Sequence, residues 1–315
     1  MGATLGAGIL FFPAAAAWLS AWAHGAEVAG YVESVTRLPE QAKADALRRA
    51  REFNASLARA SLDDPYAPGS TAPGADYLGQ LDATQVMARV SIPAVGVDLP
   101  VYHGTSEQVL ARGVGHLVGS SLPVGGAGAH AVLTGHSGRV EADIFDALHE
   151  VRLGDRFTIS VLGEVLTYEV DQIRTVEPTD TASLLPIAGE DHVTLVTCTP
   201  IGVNSHRLLV RGVRVRGPDA PVDPTLTLPA AGRSPGFPWW ALGVIAVPTA
   251  FAAGSRLRDE PAPRGLAGRH GGRRGRPAPP RHVGGGRGPR HGGAQGARPH
   301  ASRLTAPRAV APRHR

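Results

Sequence analysis

The sequence predicts a mainly β domain, an antiparallel barrel or sandwich with short helices, preceded by an amphipathic helix and flanked by two membrane spans. Three observations carry this reading. Seven strand-like runs follow one another between Met87 and Val215, each bounded by turn residues. Apolar residues between Pro39 and Ala60 recur at helical spacing. Two stretches of 22 residues, Gly2 to Ala23 and Ser234 to Ser255, carry no charged side chain, about the length a helix needs to cross a bilayer.

Taken in order, residues 1–23 read as a transmembrane helix or signal anchor, with the run Ile9-Leu10-Phe11-Phe12 and then Trp18 and Trp22 near the outer end. A cleaved signal peptide is the alternative, because Ala21-Trp22-Ala23 is cleavage-like. Residues 24–80 form a helical segment. Ala42, Ala46, Leu47, Ala50, Phe53, Leu57 and Ala58 mark one face, and Lys43, Arg48, Arg49, Arg51 and Glu52 the other. Two prolines and a glycine in Leu62-Asp63-Asp64-Pro65-Tyr66-Ala67-Pro68-Gly69 then break the helix.

The β domain covers 81–217. Its runs are Met87 to Ile92, Ala94 to Tyr102, His130 to Thr134, Arg156 to Leu162, Glu164 to Val170, Val193 to Thr197 and Leu208 to Val215, with a short helix at Asp143 to Leu148. Prolines 218, 221, 224 and 229 make 218–233 an extended linker. The second span, 234–255, opens on Trp239-Trp240, and Pro238 and Pro248 argue against a soluble core helix. Residues 256–315 read as a disordered tail rich in Arg, Gly and Pro, too poor in large apolar residues to build a core.

Net charge is +5, which invites a nucleic-acid reading. Its distribution removes that reading. From Arg256 onward fifteen arginines face two acids, so the tail carries +13, and the remaining seventeen bases and twenty-five acids leave −8. An acidic folded part does not track phosphate, so no nucleic-acid partner is expected. Arginines directly after the second span place that side in the cytoplasm, with the β domain outside the cell and the bilayer as a partner. The single Cys excludes a disulfide framework and any multi-Cys metal site.

That cysteine, Cys198, lies at the end of Val193-Thr194-Leu195-Val196-Thr197, and an eight-residue loop, Thr199 to His206, leads to Arg207 and the next run. If the two runs pair as a hairpin, a guanidinium lies beside the thiol, where it favours thiolate and offers donors to an oxyanion. A buried small hydrophobe is the bland alternative for a free Cys. A thiol nucleophile needs a proton partner. His136 fits, because Ala131 to Thr134 is a short strand and Gly135-His136-Ser137-Gly138 a tight turn at its end. His206 is a rival beside Arg207, but adjacent residues on an extended chain face opposite ways. His103, His116, His130, His149 and His192 lack such framing and read as surface or structural residues.

Leu133-Thr134-Gly135-His136, Thr194-Leu195-Val196-Thr197-Cys198-Thr199-Pro200 and Gly202 to Gly212 with Arg207 closely resemble the signatures of sortases, specifically class C, the pilin-polymerising group. Gly104-Thr105-Ser106, Gly113 to Leu117 and Ser121 to Gly126 resemble class C as well, so the likeness spans about residues 28–217. It implies a closed sortase β-barrel with Cys198, His136 and Arg207 as catalytic residues and Thr197 in support. Cys198 would attack the Thr-Gly carbonyl of an LPxTG-type sorting signal, His136 would shuttle the proton, and Arg207 would steady the oxyanion. The acceptor would be a lysine amine on a pilin subunit, with no metal and no organic cofactor. Asp64-Pro65-Tyr66 fits the family's lid motif, with Tyr66 over Cys198 and Asp64 paired to Arg207. Ile201 and Ser205 depart from the Tyr and Thr common there. A housekeeping sortase acting on peptidoglycan, or a non-catalytic tethered binding module, are the alternatives.

Overall fold

A computed structural model describes residues 2–57, 62–67, 73–138, 144–216 and 235–258. The linker, 218–233, and the tail from 259 onward, with the readings made of them, lie outside the described residues.

Helix α1 (Gly2–Arg37) continues well past Ala23, and its Gly8–Arg37 portion is long and apolar enough to cross a membrane. Leu5, Ile9, Leu10 and Phe12 stand exposed on it. Helix α2 (Glu40–Ser56) follows after Pro39 and buries Ala46, Leu47 and Ala50, three members of the predicted apolar face. Asn54 near its end donates to the Leu122 carbonyl at 3.0 Å and accepts from the Leu122 N–H at 2.7 Å, clamping the helix to the barrel. Helix α3 (Ala75–Leu78) is a single turn that buries Tyr77.

The barrel comprises β1 (Ala88–Ile92), β2 (Val97–His103), β3 (Val114–His116), β4 (Ala129–Thr134), β5 (Arg156–Val161), β6 (Glu164–Val176), β7 (Asp191–Thr199) and β8 (His206–Arg214), with helix α4 (Glu107–Leu110) before β3. It closes in the order β1-β2-β3-β4-β7-β8-β6-β5. This is a mixed barrel, not the antiparallel one expected, since β2 pairs with β3 and β4 with β7 in parallel. Parallel neighbours need crossovers, and the β5–β6 hairpin between β4 and β7 supplies one.

Three residues are too few for a periodic signal, so β3 was invisible to pattern reading. Gly115 marks it in space, because a Cβ there would meet the Gly104 carbonyl oxygen at 2.5 Å. The short helix expected at Asp143 to Leu148 is a 3₁₀ turn at Asp146–Glu150, and Asp143 lies outside the described residues.

Phe157 and Tyr168 stack in the barrel interior with ring centroids 5.5 Å apart, and Gly212 on β8 leaves the space they fill. Arg89 and Asp98, both under 10% exposed, form a two-point ion pair between β1 and β2 at 2.5 and 2.7 Å. Removing one partner of such a pair strands the other charge without water. Asp98→Ala is therefore expected to lose about 3–5 kcal/mol of stability, read from the denaturant midpoint. A loss under 1 kcal/mol would show that Arg89 finds solvent.

The apolar stretch of helix α5 (Trp240–Arg258), Trp240–Phe251, falls short of a membrane crossing, so the described residues contain one helix of spanning length where two were expected. The prolines that argued against a soluble helix do not interrupt it, as Pro248 sits within α5.

Candidate active site

Strand register brings the candidate residues to one end of the barrel. On the parallel pair β4 and β7, Thr134 lies opposite Val196, so His136 and Cys198 each follow two residues beyond the same rung. On the antiparallel pair β7 and β8, Cys198 lies directly opposite Arg207 and Thr199 opposite His206. The hairpin therefore has the expected geometry, with a loop of six residues, 200–205, because each strand takes in one residue of the expected loop, Thr199 and His206.

The turn after β4 accepts only glycine at its first position. A Cβ on Gly135 would meet Ile144 at 2.6 Å and Phe145 at 2.8 Å. Hydrogen bonds then fix the turn to β7. The Thr197 hydroxyl donates to the Gly135 carbonyl at 2.8 Å, and the Ser137 hydroxyl to the Cys198 carbonyl at 2.7 Å. Thr197, fully buried, thus acts on the backbone that aims His136. The Phe145 N–H closes the other side on the His136 carbonyl at 3.0 Å.

His136, Cys198 and Arg207 line one cavity of about 630 Å³, together with Tyr66, Glu107 and Asn204. Cys198 and Arg207 are buried, and the His136 side chain is 15% exposed. The Asp64-Pro65-Tyr66 segment lies over them. Asp64 takes two hydrogen bonds from Arg207, at 2.9 Å from Nε and 2.7 Å from Nη2. The third guanidinium nitrogen donates to the Asn204 and His206 carbonyls. The Tyr66 ring sits 4.9 Å from the guanidinium carbon and 5.6 Å from the His136 ring, and its hydroxyl reaches the Gly135 and Val196 carbonyls at 2.7 and 3.1 Å. Leu62 anchors the segment from behind in a small apolar cluster with Val132, Val196 and Leu209.

Burial pushes the Cys198 thiol above its ordinary range, and the Asp64 carboxylate adds to this while Arg207 opposes it. Burial works against the Arg207 charge, but the Asp64 hydrogen bonds and the Cys198, Asp64 and Tyr66 charges together outweigh it and hold the guanidinium protonated more firmly than usual. Tyr66 is held as the neutral phenol, first by burial and then by Cys198. With the segment seated, Asp64 occupies two of the three guanidinium nitrogens.

Among the residues that line this cavity, His136 is the histidine. His206 is exposed and bonds Ser205. His130 pairs with His192 at the opposite end of β4, six residues before His136, and bonds Thr194. His116 is fully buried against Tyr77 and Ser121. Burial lowers both His116 and His130 to about 4. His149 bonds the Thr199 hydroxyl at 3.2 Å, beside the site.

Glu107 escaped the sequence reading although its Oε2 is 3.3 Å from His136 Nε2. The available signal was Ser106, whose hydroxyl caps α4 by accepting from the Val109 N–H.

Residues 90–215 match the sortase domain family model. Sortase A of Bacillus anthracis is 31% identical over 132 residues, which span 42% of this chain and 61% of that protein. Sortase D of Bacillus subtilis is 26% identical over 201 residues, 61% of this chain and 94% of that one. Among solved structures, sortase C-1 from Actinomyces oris is 47% identical with a TM-score of 0.55, covering 56% of this chain and 99% of its own. Streptococcus pneumoniae Sortase C, described for its pilin substrate specificity, is 41% identical with a TM-score of 0.56, covering 60% and 95%. With a barrel, a strand-end cysteine and relatives that agree, the chain belongs to the sortase family of cysteine transpeptidases.

Proposed function

We propose that this protein is a membrane-anchored pilin polymerase that cleaves an LPxTG-type signal and joins the acyl fragment to a lysine amine of another subunit. The observation that carries the proposal is the register that sets Cys198, His136 and Arg207 at one barrel end. The Cys198 thiolate attacks the threonine carbonyl carbon, and the resulting oxyanion takes hydrogen bonds from Arg207. As the carbon–nitrogen bond to glycine breaks, protonated His136 gives its proton to the leaving amine. Neutral His136 then takes a proton from the incoming lysine amine, which attacks the thioester and releases the thiolate.

Helix α1 supplies the anchor. In this reading α5 returns to the membrane beside it, supported by Phe11 seated at Gly243 and the Trp18 indole N–H bonded to the Gly236 carbonyl at 2.8 Å. The barrel then lies on the outer side of the membrane. The pilus role rests on the Asp64-Tyr66 lid and on the likeness to class C structures.

Asp64→Ala/Tyr66→Ala is expected to raise thioester formation with an LPxTG-type pilin peptide at least about tenfold, because the lidded state no longer dominates. The same change removes part of the burial and the Asp64 charge that push the thiol up, so alkylation of Cys198 sets in at lower pH. Mass spectrometry and iodoacetamide kinetics read both effects. A variant that alkylates readily yet forms no thioester with any LPxTG-type peptide would overturn the assignment. Transfer to a peptidoglycan amine in preference to a pilin lysine would assign the housekeeping role.

A further inference from the structure

We propose that the catalytic end of the barrel is the end that faces the bilayer, and that the β7–β8 loop, through Ile201 and Val203, makes a second contact with the lipid surface across the barrel from α1. This rests on the reading of α1 as the anchor.

Strand directions fix which end is which. β4 and β7 both run toward the catalytic end, where the chain reaches His136 and Cys198. β3 runs against β4, β2 runs with β3, and β1 runs against β2, so β1 also runs toward that end and turns there through Pro93–Val95 into β2. β5 runs against β1, which puts the β5–β6 turn at Leu162 and Gly163 at the opposite end.

Helix α1 meets the catalytic end first. Its Ala21 and His24 line a cavity with Val95 and Gly96 of the β1–β2 turn and with Ala147 of the 3₁₀ turn. That same 3₁₀ turn touches the catalytic strand end, where His149 Nε2 lies 3.2 Å from the Thr199 hydroxyl. Further along α1, the Tyr31 hydroxyl accepts from the Leu162 N–H at 3.0 Å, at the opposite end. From Ala21 to Tyr31 the helix therefore runs down the barrel wall, over about 15 Å. The apolar part of α1, with Ile9, Leu10 and Phe12 exposed, lies beyond the catalytic end.

Aromatic side chains mark the lipid level at this junction. The Trp18 indole bonds the Gly236 carbonyl, and Trp22, Phe237 and Trp239 are each more than half exposed. Amphipathic rings of this kind settle among headgroups. On the catalytic end, residues 200–205 carry no charge, and Ile201 and Val203 are 50% and 69% exposed. β7 stands opposite β1 in the closed ring, so α1 and this loop support the barrel from two sides. Apolar side chains grouped at a surface favour contact with a water-poor partner, and α1 brings the bilayer to their end. A substrate segment then meets Cys198 close to the lipid surface.

The test uses full-length protein carrying Cys198→Ala, in nanodiscs of phosphatidylcholine and phosphatidylglycerol. Leu19→Cys on α1, Val203→Cys on the loop, and Leu78→Cys on α3, whose Tyr77 bonds His116 at the opposite end, each supply one cysteine for a bimane label. Phosphatidylcholine spin-labelled on its headgroup is the quencher. Labels on Leu19→Cys and Val203→Cys are expected to lose most of their emission, and the label on Leu78→Cys to keep it. Quenching of Leu19→Cys without Val203→Cys would overturn the proposal, as would equal quenching of Val203→Cys and Leu78→Cys. Absence of quenching at Leu19→Cys would overturn the anchored reading, and the proposal with it. In active protein opened by Asp64→Ala/Tyr66→Ala and held in detergent, Val203→Ser is expected to leave KM for an LPxTG-type peptide unchanged. A severalfold rise would assign the loop tip to the peptide and overturn the lipid contact.

Discussion

In the lid-opened background Asp64→Ala/Tyr66→Ala, Arg207→Ala is expected to lower kcat/KM for sorting-peptide cleavage about 10²–10³-fold, the usual cost of removing an oxyanion donor. The background matters. In the lidded protein Asp64 takes two of the guanidinium's hydrogen bonds, so deleting Arg207 alone would leave a partly buried carboxylate beside the thiol and mix two effects. With the lid opened, the loss reports the transition-state contact itself. Arg207→Lys keeps the charge but not the planar fork, and its activity should lie between the two. Steady-state kinetics on a fluorogenic LPxTG-type peptide measures the series. A fall of less than about threefold in Arg207→Ala would place oxyanion stabilisation in other groups.

Cys198→Ala in the same background is expected to remove all covalent adduct and to lower turnover on the order of 10⁶-fold, as loss of a nucleophile does elsewhere. The fold should tolerate the change. Cys198 is a small buried residue at a strand end, and the Ser137 hydroxyl bonds its carbonyl, which alanine retains. Intact-mass spectrometry after incubation with peptide, beside a thermal melt of the same sample, reads both points. Adduct persisting in a folded Cys198→Ala protein would exclude Cys198 as the nucleophile.

Much of the fold was legible because strands and helices announce themselves locally. The β7 and β8 runs stood out through Val193 to Thr197 and Leu208 to Val213, and α2 through its spaced alanines and leucines. Three features did not announce themselves. Strand β3 is too short for a period, the parallel β2–β3 and β4–β7 pairings depend on how distant segments pass one another, and the continuation of α1 past Ala23 crosses from apolar into charged sequence.

At the site, hairpin logic placed Arg207 beside Cys198, since two adjacent runs and a short loop leave little choice of register. His136 stood out by its tight turn at a strand end and then by family likeness, but its closeness to Cys198, 62 residues away, has no local signal. Its physical basis is the parallel β4–β7 ladder, a non-local pairing with no imprint in either segment alone. Asp64 on Arg207 has the same character, across 143 residues, and Glu107 on His136 across 29.

By itself, then, the sequence determined which residues are candidates for chemistry and which segments are apolar, extended or charged, because these follow from side-chain type and near-neighbour spacing. Only the tertiary structure decided that β4 pairs in parallel with β7, so that the His136 turn leaves the same barrel end as Cys198 and Arg207, and that a glutamate on a one-turn helix stands against the imidazole. Such contacts join segments far apart in the chain, and barrel closure, not local propensity, sets their distances.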